Sequence, residues 1–516
     1  DILPGSSIPE VYEDSEEEYE NTIHAAYDLV RKGMGSIGRR ITTQNTALPS
    51  ATPLIVYNTT SWRRTTTAFL RMKNGDTDFR ILDAEGNEIE SQVIDMDGHP
   101  TLAFLAEDIP DLGYRTYYME AGAGARTDYE PMARELENGS FELENELINA
   151  VIDGDTGMVK SLELKENGRE LISEPSHRLR VFREDKRLYP AWNIDKHYRR
   201  KEVPRPRIDQ RPRNKSNRPA VAPIEYTQPL GEKSSANIVI STLRKRPILM
   251  FSVKVDWHEK DHMLKAEFNS SVKSDSIASD IPYGAIERPT RPYYPAQKAR
   301  WEMPCQKWID ISDGDCGLAL VNQNKYGFSA SGSSFSLTLL RSPKYPAPIR
   351  GAWGLRPDDE RPEYTDQGEH FIRYALVPHM GGWREAGMWR VGQEFCDPLL
   401  VVRTDQHQGI LPPEATALSC KSSTTYVGAI KRPEDNPDKA DTKYHQIMVR
   451  LVEAAGLPDT VTLKFTARMT ITDAKETDLI EFSTRPVPDT DGEHGEVVIE
   501  MKPFEIKTVK ITLINA

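Results

Sequence analysis

The residues His258-Glu259-Lys260-Asp261-His262 have the HExxH spacing of a zinc protease. In that chemistry, two histidines on one face of a helix bind zinc and the glutamate acts as the general base. The flanking residues argue against a helix, because apolar residues alternate from Phe251 to Trp257 and an extended pattern resumes over Met263–Phe268. The motif is therefore predicted to lie on the connection of a β-hairpin, where its two histidines are not held together.

A second cluster of chemically versatile residues runs from Tyr283 to Asp310 and includes Arg288. Its Gly, Pro and aromatic residues are interspersed with Arg and Glu, the composition of a sugar-binding loop. Aromatic faces stack on the C–H surfaces of sugars, and Arg and carboxylate groups bind hydroxyls in directional pairs. The same composition suits a sandwich rim whose aromatic residues only pack. Composition leaves both interpretations open.

A third candidate is the acidic loop from Asp366 to His370, which leads into a strand predicted over Phe371–Val377. This arrangement would place Asp366 and His370 at the rim of a sheet, and an ordinary polar turn before a strand is the alternative. Carboxylates elsewhere are too numerous for a glycosidase pair to be chosen by spacing, because such a pair is defined by its separation in space. No Gly-rich phosphate loop and no GxSxG nucleophile elbow occurs in the sequence.

One helix is predicted at the start of the chain, where apolar residues recur at steps of three and four from Ile8 to Val30. Ser7 and Glu10 have the spacing of a capping box, Pro9 is tolerated in the first turn, and Gly33 is predicted to end the helix. A single amphipathic helix cannot bury its own apolar face. It is therefore predicted to be the last helix of a bundle whose other members lie upstream.

After about residue 50 the apolar pattern changes to a period of two, which predicts β-strands. The first strands indicate a small sandwich ending near Gly122, a longer β series begins at Ser140, and a further β-rich unit follows residue 400. The predicted strands are Leu54–Tyr57, Thr65–Met72, Thr101–Leu105, Tyr114–Met119, Phe141–Ile152, Met158–Leu164, Asn237–Leu243, Leu249–Trp257, Leu264–Phe268, Gly317–Val321, Phe335–Leu340, Val461–Phe465, Val497–Met501 and Thr508–Leu513.

Length and composition limit the classes of protein that fit. A chain of 516 residues is too long for one core, and its net charge of −13 argues against nucleic acid as the main partner. No apolar run approaches the roughly 18 residues of a membrane helix. The four cysteines have no CxxC spacing, which predicts reduced residues in a cytoplasmic protein rather than a zinc knuckle or a redox pair.

The segment from His197 to Ala220 carries nine Lys and Arg residues interleaved with four prolines. One interpretation is an arm that binds anions or RNA. The alternative is a solvated, extended insertion between strands, which the scarcity of aromatic residues for base stacking favours.

The first residues, Asp1-Ile2-Leu3-Pro4-Gly5-Ser6, are similar to the second half of the signature His-Asp-[Ala/Ile]-[Ile/Leu]-x-Gly-[Ser/Thr]. That signature belongs to the retaining α-mannosidases of glycoside hydrolase family 38, and further segments resemble the bacterial and archaeal members in the same order along nearly the whole chain. Where animal members have Arg-Gly-Leu-Gly-Gln-Gly, this chain has Asp366 to His370. The other segments are Val56–Trp62, Leu112–Arg115, Phe141–Glu146, Asp155–Gly157, Ala191–Asp195, Asp256–Lys260, Leu264–Lys265, Tyr283–Thr290, Lys325–Phe328, Leu339–Pro343, Pro378–His379 and Pro503–Thr508.

The resemblance implies an activity and a division of labour. Enzymes of the family hydrolyse α-mannosides with retention of configuration, and their Asp nucleophile and most metal ligands lie on an N-terminal α/β barrel. A divalent metal, usually zinc, binds mannose hydroxyls there. The resemblance therefore implies no catalytic residue and no metal ligand within these 516 residues, and a ligand His immediately before Asp1. The implied substrate-binding residues are Asp1, Arg288, Asp366 and His370.

The prediction is a mainly β protein in which the helical remnant of a bundle precedes β-sandwich domains. Residues 1–48 would end the bundle, 49–125 form a small sandwich, 126–400 a large mutarotase-like supersandwich, and 401–516 a C-terminal sandwich. The predicted function is that of the C-terminal part of a retaining α-mannosidase, which removes terminal α-D-mannose, completes the substrate cleft and supports the barrel. Its partners would be a mannose-containing oligosaccharide and the barrel, with no nucleic acid or membrane, and homo-oligomerisation stays open. The alternative is a carbohydrate-binding or structural module without hydrolytic activity.

Overall fold

The computed structural model describes residues 6–73, 79–96, 98–121, 132–184, 190–214, 221–346, 364–434, 444–465, 469–487, 489–491 and 495–515. A long N-terminal helix precedes strands that form seven antiparallel sheets. The prediction of a mainly β chain, with a helical start followed by sandwich domains, is confirmed.

Helix α1 spans Pro9–Gly38, with Pro9 in its first turn as predicted. The predicted capping box is wrong: Ile8 occupies the N-cap position without a side-chain cap, and the Ser7 backbone N–H donates to the Tyr12 hydroxyl at 3.2 Å. The predicted end at Gly33 is also wrong. The helix continues through Gly33 to Gly38, and a Cβ added at Gly33 would have no atom within 4 Å. At Gly38 a Cβ would lie 3.3 Å from the Tyr57 hydroxyl, because there the helix meets the first sheet.

The apolar side chains of α1 are largely exposed. Tyr19, Ile23, Tyr27 and Leu29 each keep half or more of their surface accessible. The described residues therefore do not cover the apolar face of this helix, and its membership of a bundle stays a prediction.

Seven strands form a small sandwich after α1. One sheet contains β1, β7, β3 and β4, and the other has the order β2-β6-β5. Leu54 and Tyr117 of the first sheet share a core with Leu102 and Phe104 of the second. The strands are β1 Thr52–Asn58, β2 Arg64–Arg71, β3 Phe79–Leu82, β4 Glu88–Ile89, β5 Ser91–Met96, β6 His99–Ile109 and β7 Gly113–Ala121.

The large domain follows, built on a nine-stranded sheet of order β14-β15-β16-β17-β26-β23-β22-β19-β20. Two five-stranded sheets, β12-β11-β10-β9-β8 and β13-β18-β25-β24-β21, share one continuous core with it. Short helices lie at Tyr198–Lys201 (3₁₀) and at α2 Pro295–Lys298. The strands are β8 Ala133–Glu135, β9 Phe141–Glu144, β10 Ile148–Ile152, β11 Val159–Leu164, β12 Arg169–Glu170, β13 Arg178–Arg183, β14 Gln210–Asn214, β15 Val221–Leu230, β16 Ser234–Leu243, β17 Leu249–Trp257, β18 His262–Asn269, β19 Ser276–Ile281, β20 Gly284–Pro289, β21 Met303–Pro304, β22 Trp308–Ser312, β23 Cys316–Asn322, β24 Gly327–Ser331, β25 Ser334–Arg341 and β26 Gly368–Met380.

One predicted strand, Phe141–Ile152, is two strands in the structure. Asn145 separates them, because its side-chain oxygen accepts hydrogen bonds from Leu147 N and Ile148 N, both at 2.8 Å. Its amide nitrogen donates to Leu243 O at 2.7 Å. A buried Asn that satisfies a tight turn in this way interrupts the strand although the apolar alternation continues through it.

After β26 the chain forms α3 Met388–Cys396 and then returns to the small sandwich with β27 Leu400–Arg403, which pairs with β1, and β28 Glu414–Thr416, which pairs with β7. The first sheet therefore contains residues from both sides of the predicted limit at 400/401. Two further sheets, β29-β32-β36-β35 and β30-β31-β37-β33-β34, form the C-terminal sandwich. Their strands are β29 Leu418–Lys421, β30 Thr425–Lys431, β31 Tyr444–Glu453, β32 Asp459–Phe465, β33 Met469–Thr477, β34 Thr484–Pro486, β35 Asp489–Asp491, β36 Glu496–Met501 and β37 Ile506–Asn515.

A buried histidine lies at the centre of the large core. The fully buried His177 ring stacks on Phe251 with centroids 4.1 Å apart. Its Nε2 atom lies 2.8 Å from the Tyr374 hydroxyl and its Nδ1 atom 3.3 Å from the Tyr226 hydroxyl. Burial lowers the pKa of His177 to about 3, so the ring is neutral in the folded chain.

A buried ion pair joins the second five-stranded sheet to the loop before β21. The Lys265 ammonium, on β18, donates to both Glu302 oxygens at 2.7 and 2.6 Å and to Ser329 Oγ at 2.9 Å. The Lys265 side chain is 2% exposed and that of Glu302 11%. Burial outweighs the attraction of Glu302 and lowers the pKa of Lys265 to about 8.

None of the helices formed by the described residues is long and apolar enough to cross a membrane. All four cysteines are free, as predicted. Burial raises the pKa of the Cys305 and Cys420 thiols to about 12, so these two sites disfavour the reactive thiolate.

Candidate functional site

The HExxH motif connects two different sheets. Strand β17 ends at Trp257 in the nine-stranded sheet, and β18 begins at His262 in a five-stranded sheet. The predicted hairpin is therefore wrong, because the connection crosses the sandwich. His258 Nε2 lies 2.7 Å from Asp256 Oδ1, and His262 Nδ1 donates to Lys260 O at 2.6 Å.

The glutamate of this motif has a structural role. Glu259 accepts hydrogen bonds from Glu232 N at 2.8 Å and Lys233 N at 2.7 Å, which holds the turn between β15 and β16. A protease general base needs a carboxylate that faces a metal-bound water. Glu259 is 6% exposed and already bonded, so this motif does not form a zincin site.

Asp366 and His370 lie together at the start of β26. Asp366 has a left-handed backbone (φ 52°), which turns the chain into the strand, and His370 Nε2–H donates to the Asp366 carbonyl at 2.9 Å. The residue keeps an exposed surface. Partial burial of its carboxyl group raises the pKa of Asp366 against the charges of His370, Lys325 and Arg341. The loop is therefore an ordered turn in which the Asp366 and His370 side chains lie close to each other.

The first turns of α1 belong to the same region. The centroids of the Tyr12 and Tyr345 rings are 5.6 Å apart. Burial is the main cause that raises the pKa of Tyr345, and the negative charge of Asp366 raises it further. Ser6 Oγ donates to Ala191 O at 2.7 Å. The rim around Asp366 is therefore assembled from the N-terminal helix and the loops before β26 and after residue 190.

Arg288, the third predicted site residue, lies on the last strand of the nine-stranded sheet and has other partners than Asp366 and His370. Arg288, on β20, donates to Ser279 Oγ at 2.5 Å. Burial and the nearby Arg300 lower the pKa of Arg288. Among the described residues no hydrogen bond or ion pair joins Arg288 to Asp366 or His370. Asp1, the remaining predicted site residue, lies outside the described residues.

Three residues of the Asp366 rim were not predicted: Tyr12, Lys325 and Tyr345. Lys325 is half-buried, and desolvation lowers its pKa while Asp366 raises it. Tyr12 was assigned to the apolar stripe of α1 and Lys325 to a family-like segment, without a role in the site. No spacing in the sequence could have joined them, because only the folded sheets bring residues 12, 325 and 345 to one rim.

Comparison with known families decides the relationship. Residues 143–349 match the description "Glycosyl hydrolases family 38 C-terminal domain", and residues 426–509 match "Glycosyl hydrolases family 38 C-terminal beta sandwich domain". Together the two matches cover more than half of the chain. The chain belongs to glycosyl hydrolase family 38. The resemblance read from the sequence is therefore confirmed.

Two relatives that match this family 38 chain along nearly its whole length are named α-mannosidases. Alpha-mannosidase 2C1 of Mus musculus is 26% identical over 99% of this chain and 44% of its own length, and alpha-mannosidase G of Dictyostelium discoideum is 25% identical over 99% and 46%. This chain thus spans less than half the length of these curated relatives. An α-mannosidase structure from Enterococcus faecalis V583 shares the fold, with a TM-score of 0.75 at 16% identity over 98% of this chain and 61% of that one.

The metal that the family implies does not fit the described part of this family 38 chain. These residues contain no group of three or more His, Cys, Asp or Glu side chains placed to hold a metal ion. His370 and Asp366 supply two polar groups, and His370 is directed at a backbone carbonyl. Two such groups do not make a closed or open zinc site, which needs at least three protein ligands.

The basic segment of this chain is largely tied to its neighbours where it is described. Arg205 donates to Thr156 O at 2.9 Å and Gln228 Oε1 at 2.8 Å, and Arg213 pairs with Glu225 at 3.2 Å. Residues 210–214 form β14 at the edge of the nine-stranded sheet. The predicted solvated loop is thus partly a paired strand, and residues 215–220 lie outside the described residues.

Proposed function

We propose that this chain is the C-terminal part of a retaining α-mannosidase that hydrolyses terminal α-D-mannose from oligosaccharides or glycans. The observation that carries the proposal is the continuous similarity of 99% of the chain to proteins named α-mannosidases. Its role is to complete the substrate cleft and to hold the N-terminal barrel of the same enzyme. The partner molecules are a mannose-containing oligosaccharide and that barrel.

The rim around Asp366 is the part of the chain that we propose to face the substrate. The segment that resembles the family signature ends at Ser6, which is 6% exposed and bonded to Ala191. Tyr12 then reaches Tyr345 beside Asp366. This convergence supports a cleft built from Asp1, Asp366 and His370, in which carboxylate and imidazole groups bind sugar hydroxyls. Arg288 stays a predicted substrate contact.

We further propose that a divalent metal, zinc, is bound mainly by residues of the barrel. When bound there, such an ion would orient mannose hydroxyls and act as a Lewis acid. The described residues do not offer a full donor set. A cytoplasmic location is proposed from the four free thiols, since disulfides are rare in that compartment.

The first test is activity by complementation. The purified chain alone is expected to show no hydrolysis of an aryl α-mannoside, whereas the chain mixed with a barrel-containing fragment is expected to hydrolyse it. Retention needs a nucleophile and an acid about 5 Å apart on one rigid scaffold, and the described β-sandwiches carry no assigned pair. Turnover by the chain alone, or no turnover by the mixture although the fragments associate, would overturn the proposal.

A second prediction concerns the rim in the complemented enzyme. Asp366→Asn and His370→Ala are each expected to lower kcat/KM by at least about 10-fold, because a hydrogen bond to a charged group contributes roughly 1.5–3 kcal/mol. Glu369→Gln is the matched control: Glu369 lies between them, is exposed, and pairs with Lys254 at 2.8 Å. Its kcat/KM should change less than about 2-fold. Equal losses in all three variants would mean that the loop acts only through folding.

A further inference from the structure

A cavity of about 350 Å³ opens where the nine-stranded sheet, α3 and the C-terminal sandwich meet. Its walls include Asp280, Tyr283 and Lys307 from the sheet, Trp389 and Gln393 from α3, and Tyr426 from β30. We call it the α3 cavity. The volume lies at the small end of the range typical of small-molecule sites and is enough for a single sugar ring.

Aromatic rings supply the apolar part of the α3 cavity. Trp389 and Tyr426 stack with centroids 5.6 Å apart and planes 23° apart, and Trp62 meets Trp389 edge-on at 5.5 Å. Tyr283 stands on the tight turn between β19 and β20 and is 56% exposed. The cavity therefore has a rigid aromatic wall and a free aromatic ring beside it, both suited to the C–H face of a ring-shaped ligand.

Polar groups in the cavity keep unused hydrogen-bonding capacity. Asp280 Oδ1 accepts from Gln306 N at 2.9 Å and Lys307 N at 2.8 Å, which fixes the carboxylate. Within the described part of the chain, neither Asp280 Oδ2 nor the Tyr426 hydroxyl makes a hydrogen bond. Both atoms keep some solvent-accessible surface. An oriented acceptor and a hydroxyl thus face the cavity without protein partners.

The charges of the cavity balance. Asp280 is the acid, and Lys307, whose ammonium donates to Gln393 Oε1 at 2.5 Å, is the base. Strongly charged ligands would meet a like charge, and an apolar ligand would leave Asp280 Oδ2 without a hydrogen bond, which costs free energy in a partly buried site. A neutral ligand with several hydroxyls and apolar C–H faces satisfies both the aromatic and the polar groups.

We propose that the α3 cavity is a binding site for a neutral saccharide. One sugar residue lies against Tyr283 and the Trp389–Tyr426 wall, donates a hydroxyl hydrogen to Asp280 Oδ2, and pairs a second hydroxyl with the Tyr426 hydroxyl. The proposal goes beyond the function proposed above, because it requires neither hydrolysis nor the barrel. It gives the Tyr283–Asp310 cluster a binding role at the junction with the C-terminal sandwich.

The test is titration of the full chain with methyl α-D-mannopyranoside and with methyl α-D-glucopyranoside, followed by calorimetry and tryptophan fluorescence. Saturable 1:1 binding is expected for at least one of them. Tyr283→Ala and Asp280→Asn are each expected to weaken it by about 10-fold, since each removes a direct contact. Tyr293→Ala is the control, because Tyr293 is also an exposed aromatic residue of this region (77%) and does not line the cavity.

Two comparisons make the outcome decisive. Tyr283→Ala alters an exposed side chain, so its thermal midpoint should match that of the wild type, which keeps a loss of binding interpretable even if Asp280→Asn destabilises the turn. If His370→Ala abolishes binding while Tyr283→Ala keeps it, the sugar occupies the Asp366 rim and the cavity proposal is wrong. No saturable binding of either sugar, or binding as tight as that of the wild type in both Tyr283→Ala and Asp280→Asn, would also overturn it. The complementation assay is independent, so failure of either proposal is visible without the other.

Discussion

Replacing Lys265 by Met is expected to lower the free energy of unfolding of the large domain by about 3–5 kcal/mol. The Lys265 ammonium is the charged partner of Glu302 in a site where the two side chains are 2% and 11% exposed. Removal of the ammonium leaves the carboxylate without its two hydrogen bonds of 2.7 and 2.6 Å. The Tyr198 hydroxyl still donates to Glu302, but the carboxylate has lost its countercharge. A buried charge without a countercharge is strongly destabilising, so the loss should exceed that of an ordinary surface substitution.

Urea denaturation followed through the buried tryptophans would measure this change. Lys254→Met is the matched control, because Lys254 forms an exposed pair with Glu369 and should cost less than about 1 kcal/mol. The double variant Lys265→Met/Glu302→Leu should recover most of the stability, since it removes both charges together. If the double variant is as unstable as the single one, packing of the Lys265 stem, not the unpaired charge, explains the loss.

The ion pair also predicts a dependence on pH. Folding lowers the pKa of Lys265 from 10.5 to about 8, so in this window the unfolded chain binds a proton that the folded chain has released. The free energy of unfolding should therefore rise with pH between about 8 and 10.5 through this group, and this rise should be absent in Lys265→Met.

Acidification is expected to destabilise the large domain by about 2 kcal/mol between pH 6.5 and pH 4.5 through His177 alone. Burial lowers the pKa of His177 from 6.5 to about 3, because a charged ring would lie among Phe251, Tyr226 and Tyr374. Above pH 6.5 neither state is charged and the contribution is complete. As the pH falls toward 3 the unfolded chain takes up a proton that the folded chain excludes, at about 1.4 kcal/mol per pH unit.

The variant His177→Asn isolates this effect, because Asn tolerates the left-handed backbone of residue 177 (φ 60°) and does not titrate. It should be less stable at neutral pH and lose less stability on acidification, with a proton uptake on unfolding smaller by about one. His379→Gln is the control. Burial lowers the pKa of His379, but the hydrogen bond and charge of Asp310, 2.6 Å away, and further favourable contacts outweigh it and raise the pKa, so His379 acts in the opposite direction. Equal pH slopes in the wild type and His177→Asn would refute the assignment.

Alternation of apolar residues predicted strands well where one face is buried. Strand β17 was predicted residue for residue over Leu249–Trp257, and its side chains alternate between buried and partly exposed as expected. The partner of a strand was less predictable. The alternation on either side of His258–His262 is the same for a hairpin and for a crossing between sheets, so the sequence could not separate them. Local turns formed by a single side chain, such as Asn145, were also missed.

In the candidate sites, too, residues close in sequence could be grouped in advance, whereas residues from distant elements could not. Asp366 and His370 are four residues apart and were found together, through the family-like segment that contains them. One wall of the α3 cavity comes from the cluster from Tyr283 to Asp310, for which the sequence left sugar binding and rim packing both open. Its opposite wall, Trp389 and Tyr426, lies far along the chain and carries no local signal. Residues of one loop can be grouped from the sequence, whereas a cavity wall that comes from another element can be identified only from the folded structure.

The return of β27 and β28 to the first sheet affects how the chain folds while it is being synthesised. Contacts that close this sheet, such as the hydrogen bond from the Tyr114 hydroxyl to Pro412 O, join residues 298 positions apart. At roughly 5–20 residues per second on the ribosome, β7 must wait about 15–60 s for its last partner. During that delay β1 presents an open edge to other nascent chains, which is a known risk for aggregation. The large domain, inserted between the halves of the sheet, can complete its own core first.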